Sequence, residues 1–165
     1  MLIDLDPQGD INTCHTIDAR YNIYDFLVEG ADLKECISKL GKNLDIIHSD
    51  HRLAEAEQQI SKEKDSINFL EKKFSKINGY DYVIIDCAPS WRLLNKNALE
   101  YASEVIIPAS TDILGYAAIE KTIKRIIEFS NLNHHNEFVS SIVPTMFDKR
   151  NKICVEILNK MKKEF

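Results

Sequence analysis

Three carboxylates standing at the ends of apolar runs are the residues of this chain best suited to chemistry. Asp4 and Asp6 lie at the end of the run Met1–Leu5, in Asp4-Leu5-Asp6-Pro7-Gln8-Gly9. Asp86 closes Val83-Ile84-Ile85-Asp86 and is followed by Cys87-Ala88-Pro89-Ser90. Carboxylates at two strand tips, each leading into a loop of Pro and small residues, can hold a hydrated divalent cation and orient a water against a phosphate. An Asp that ends a strand is also an ordinary turn former or helix N-cap. One such Asp would carry only that structural meaning; three in an alternating strand–helix chain point to chemistry.

Other groups offer less. Cys14, Cys36, Cys87 and Cys154 are far apart with no CxxC pair, and read as reduced thiols, mostly in or near a core. The pairs His48/His51 and His134/His135 lack acidic or cysteine neighbours that would complete a ligand set, so they read as surface-loop histidines. The net charge of −5 excludes a basic nucleic-acid binder as a whole. Between Asp148 and Glu164, however, six Lys or Arg face three acids. That stretch is either a solvated helix face or a DNA-backbone contact, with Arg150, Lys152, Lys160 and Lys162 as the candidate cations.

The elements that must position these groups alternate. Nearly continuous apolar runs at Met1–Leu5, Leu44–His48, Tyr82–Asp86, Val105–Pro108 and Phe138–Pro144 predict five mostly parallel strands buried on both faces. Helical spacing appears over Lys62–Asn78 (Ile67, Leu70, Phe74, Ile77), over Leu114–Ser130, and near the end of the chain (Ile153, Ile157, Leu158, Met161). The expectation is a three-layer α/β fold, a mostly parallel sheet with helices on both faces. Ligands of such folds gather at the carboxyl ends of the strands, which is where Asp4, Asp6 and Asp86 stand. No repeat, linker or low-complexity tract divides the 165 residues, so a single domain over 1–165 is expected. There is no apolar run of about 20 residues and no secretory leader pattern. A cytoplasmic protein is expected.

Taken together, these segments resemble the ParA/Soj family of partition ATPases, within the P-loop NTPases. Leu2–Asp10 is similar to the family's DxDPQGN segment, and Tyr80–Ser90 to its Walker B strand. Ile142–Asn151 resembles its PTMxDxRT strand end. Shorter likenesses at Ile23–Leu27, Leu44–Ser49, Val105–Pro108 and Ala117–Glu120 keep the same order, so the resemblance spans essentially the whole chain.

The resemblance implies ATP and Mg²⁺ as cofactors, a homodimer that binds DNA non-specifically, a ParB-type partner and a nucleoid-associated location. It implies that Asp6 orients the attacking water. Asp4 and Asp86 would lie near Mg²⁺, reaching it through water, and Cys87, Ala88, Pro89 and Ser90 would form a switch loop. Pro144, Thr145, Met146 and Asp148 would lie near the nucleotide base. Trp91-Arg92 departs from the family, which has small apolar residues there. The larger departure is that no Gly-Lys-Ser/Thr occurs, so the phosphate-cradling loop and its strand are missing from these residues. In the family that strand lies beside the Walker B strand.

The expected activity is therefore that of a partition ATPase fragment unable to hydrolyse ATP alone. The alternatives are a nucleotide-free interaction or regulatory protein using the family's dimer or partner surface, and a MinD-like ATPase. The final residues form no clear amphipathic membrane-targeting tail.

Overall fold

A computed structural model describes residues 1–133 and 139–165. The pair His134/His135 and the start of the expected strand at Phe138 lie outside the described residues. The chain forms two compact units, Met1–Tyr101 and Ala102–Phe165.

The first unit contains β1 (Leu2–Leu5), α1 (Ile11–Cys14), a π-type turn (Asp25–Glu29), a 3-10 turn (Leu33–Cys36), β2 (Ile37–Gly41) and β3 (Leu44–Ile47). It continues with α2 (Leu53–Ile60), α3 (Phe69–Phe74), β4 (Ile84–Cys87) and α4 (Leu93–Tyr101). The sheet order is β2-β3-β1-β4. β1 runs parallel to both β3 and β4. Its central place explains its continuous apolar character: Ile3 and Leu5 are buried, and so is Asp4 between them. β4 ends the sheet, and Ile84 there is 62% exposed. The core under the sheet gathers Ile23, Leu27, Ile47, Leu53, Leu70 and Phe74. Each such side chain contributes roughly 1.5–3 kcal/mol when fully buried.

The strand expected at Tyr82–Asp86 is β4, which begins only at Ile84. Because it ends its sheet, Tyr82 and Ile84 are exposed instead of buried on both faces. The strands at Val105–Ser110 and Val139–Thr145 pair in a separate two-stranded sheet. Two further elements also depart from the sequence expectation. β2 is a sixth strand, antiparallel to β3. Its residues Ile37-Ser38-Lys39-Leu40-Gly41 mix polar and apolar side chains rather than run apolar, because an edge strand needs no second buried face. Ser38 is fully buried, and its hydroxyl oxygen accepts the amides of Asp18 and Ala19. The helix expected over Lys62–Asn78 is reduced to α3. Asp65 ahead of it takes bonds from Asn68 Nδ2 and Lys72 Nζ, and short polar side chains of this kind compete with helix formation. Asn97 of α4 completes the replacement, its Oδ1 accepting from the Leu70 amide at 3.0 Å.

The second unit contains β5 (Val105–Ser110), α5 (Ile113–Asn133), β6 (Val139–Thr145) and α6 (Lys152–Glu164). β5 and β6 pair in parallel. Ala109, Ile119 and Met161 form its small core. Gly115 brings α5 onto the end of β5 so closely that a Cβ there would overlap the Ser110 carbonyl oxygen. Among the described residues, no helix is long and apolar enough to cross a membrane.

Candidate functional site

Parallel pairing of β1 with β4 places Asp4 opposite Asp86 and Leu5 opposite Cys87. Two of the three carboxylates thus share one sheet edge, and Asp6 follows two residues beyond Asp4. The Asp6 amide donates to Asp4 Oδ1 at 2.9 Å. The other oxygen, Oδ2, is buried and takes no hydrogen bond. Burial pushes the Asp4 carboxyl above the usual carboxylate range, and the charges of Asp86 and Asp6 push the same way. Asp86 is exposed as a residue, yet its carboxyl is also raised, by desolvation first and by Asp6 second.

The loop after β1 is held in shape by residues that the sequence reading did not single out. Gly9 closes a turn by donating to the Asp6 carbonyl at 3.0 Å and adopts φ 63°. A Cβ at Gly9 would stand 2.9 Å from the carbonyl oxygen of Ser49, so glycine is required by both conformation and space. The buried Ser49 hydroxyl donates to the Asp6 carbonyl, and its own carbonyl accepts from Asn12 Nδ2 at 2.8 Å.

The residue after Ser49, Asp50, is held by Arg52. The guanidinium grips Asp25 through two bonds of 2.8 and 3.2 Å, reaches Asp50 at 2.9 Å, and lies 5.0 Å above the Tyr24 ring. Asp25 lies 27 residues from Arg52 and Asp50 only two, so the clamp had no signature in spacing; the likeness of Leu44–Ser49 to the family was the nearest signal.

Of the four expected switch residues, Cys87 ends β4, and Ala88, Pro89 and Ser90 form the loop beyond it. Cys87 is half-buried, and its thiol is pushed up to about 12 by burial and by Asp86, Asp6 and Asp4. Ala88, Pro89 and Ser90 line a cavity of about 300 Å³ together with Asp6, Pro7 and Gln8. Asn95 pins this loop, donating to the Ala88 carbonyl at 2.8 Å and accepting from the Ser90 hydroxyl at 2.9 Å.

The remaining candidate residues belong to the second unit. Pro144 and Thr145 end β6, and the Thr145 carbonyl accepts from the Thr111 amide at 3.0 Å. Met146 is 86% exposed at φ 52°, a left-handed conformation uncommon for a residue with a side chain. Asp148 holds Arg150 at 2.9 Å, which lowers the Asp148 carboxyl. Lys152 opens α6 and Lys162 lies in its last turn, while Lys160 sits 4.2 Å from the Tyr116 ring centre. All four candidate DNA-contacting cations are exposed.

Among the described residues, no group of three or more His, Cys, Asp or Glu converges as a direct metal-ligand set. The carboxylates fit a cation that keeps its water shell. They do not fit a triphosphate unaided, because they add negative charge and no donor.

Known proteins similar to this chain include a group of partition proteins. A family model described as an AAA domain matches residues 1–138. The chain is 28% identical over 170 residues to the sporulation initiation inhibitor protein Soj of Bacillus subtilis, covering 100% of this chain and 67% of that protein. It is 29% identical over 166 residues to the chromosome-partitioning ATPase Soj of Treponema pallidum, covering 98% and 64%. The chain thus spans about two thirds of the length of these curated relatives. A solved putative plasmid partition protein from Borrelia burgdorferi, bound to AMPPNP, superposes with a TM-score of 0.77 at 26% identity. That match covers 99% of this chain and 69% of the solved one.

Proposed function

The chain belongs to the AAA domain family whose model spans residues 1–138, and from that premise we propose that it forms the acidic, water-orienting part of a ParA/Soj-type partition ATPase. The observation that carries this reading is the register of Asp4 against Asp86, with Asp6 two residues along the same loop. Asp6 is the water-orienting residue. Gln8 donates its amide to Asp6 Oδ1 at 2.9 Å, and Ser49 holds the Asp6 backbone, so the carboxylate is fixed before any ligand arrives.

Asp4 and Asp86 accept from the waters of a divalent cation, Mg²⁺ in this reading. Such a cation polarises a phosphoryl oxygen and offsets the charge of the carboxylates. The unsatisfied Asp4 Oδ2 and the raised Asp4 and Asp86 carboxyls support it, since each is relieved by positive charge. The loop Cys87–Ser90 acts as the switch beside Asp6, and Pro144, Thr145, Met146 and Asp148 attend the base of ATP. A homodimer, non-specific DNA and a ParB-type protein are the partners, with Arg150, Lys152, Lys160 and Lys162 meeting the DNA backbone. The protein works in the cytoplasm, on the nucleoid.

Residues 1–165 contain no Gly-Lys-Ser/Thr loop, so they offer no phosphate cradle of that kind. The test is ATP turnover by the 165-residue chain, where none above background is expected. Turnover that disappears in Asp6→Ala would overturn the reading, because it would place a complete site within these residues. A second reading, a nucleotide-free interaction protein on the same scaffold, draws on the same missing loop. It differs in predicting no change in divalent-cation binding when Asp86 is replaced.

A further inference from the structure

Helix α4 begins directly after the loop that leaves Asp86, and a side chain from another element holds its first turn. The amide of Leu94 donates to Glu57 Oε1 of α2 at 3.0 Å, across 37 residues of sequence. The first amides of a helix have no partner within it and are normally answered by a Ser, Thr, Asp or Asn just ahead. Here the preceding residue is Arg92, whose guanidinium offers donors only. Leu94 is buried, so its amide cannot turn to bulk water instead. The Glu57 side chain is only 19% exposed and lies where Asp6, Pro7, Ser90, Arg92 and Asn95 line the same cavity. Arg92 stands 3.8 Å from the other Glu57 oxygen and is 70% exposed, a weak ion pair.

We propose that Glu57 is a positioning residue: by capping α4 from α2 it fixes the loop between Asp86 and α4 against the Asp6 loop. The bonds among Ala88, Ser90 and Asn95 make that loop a unit of its own. Glu57 ties the unit to α2. Losing the tie frays the first turn of α4 and frees Ala88–Ser90 from beside Asp6. The inference rests on hydrogen-bond geometry and stands apart from the proposed ATPase role.

Residue-resolved amide hydrogen exchange on the full 165-residue chain tests it. Glu57→Ala is expected to speed exchange at Leu94 and Asn95 about tenfold or more, with Ile3 and Ile47 in β1 and β3 changing by less than about threefold. Glu57→Gln keeps an acceptor of the same reach and should hold Leu94 within about threefold of the parent, as should Arg92→Ala. Should Glu57→Ala not fold, Glu57→Asp takes its place: its shorter carboxylate should speed Leu94 while Glu57→Gln does not. Unchanged Leu94 exchange without the Glu57 carboxylate, an equal rise at Ile3 and Ile47, or no rescue by Gln each overturns the proposal.

Discussion

Asp4 and Asp86 are register partners on adjacent parallel strands, one fully buried and the other exposed. A buried carboxylate with one orphaned oxygen opposes folding whenever it is charged, and that cost accounts for the first prediction.

Asp4→Asn should raise the thermal midpoint at neutral pH. The amide oxygen still accepts from the Asp6 amide, and the buried charge is gone. The sign follows from the raised folded-state carboxyl. Between the ordinary Asp range and the raised one, the folded state binds more protons than the unfolded state. The parent therefore loses stability as pH rises through that window. The advantage of Asp4→Asn should shrink as pH falls toward the ordinary Asp range, and thermal melts across a pH series check it.

Arg52→Ala should destabilise the chain by about 2 kcal/mol, between the values for exposed and buried pairs, because it strands Asp25. The Asp25 side chain is 11% exposed and that of Arg52 40%, which places the pair between those limits. Denaturant unfolding measures the loss.

Gly115→Ala should cost about 1–3 kcal/mol, since the new methyl meets the backbone oxygen of Ser110 and neither element can yield cheaply. Urea unfolding of the variant checks it, and an unchanged midpoint would mean that α5 does not approach β5 this closely.

Much of this arrangement was legible in the chain. β1 read correctly because a central parallel strand is apolar throughout, and β4, although it ends its sheet, because its run Val83-Ile84-Ile85 closes on an Asp followed by a Pro-containing loop. The supports of the site did not read. Ser49, Arg52 and Glu57 act through bonds that span 43, 27 and 37 residues, and no local spacing announces a bond of that kind. β2 escaped because an edge strand need not be apolar, and the shortened α3 because Asn97 replaces its local helix bonding from afar.

Joint replacement of Arg150, Lys152, Lys160 and Lys162 by Ala should weaken duplex DNA binding and flatten its salt dependence. Binding titrations at several salt concentrations measure both. Equal affinity and an unchanged slope would return these residues to a solvated face, with Arg150 serving only Asp148.

The most direct test of the account is paramagnetic broadening of backbone amides by Mn²⁺. One hydrated cation shared by the two strand tips predicts broadening of amides in both Asp4–Gly9 and Asp86–Ser90, lost from both together in Asp86→Ala. Broadening at one tip only, at neither, or unchanged in Asp86→Ala would contradict a shared carboxylate site.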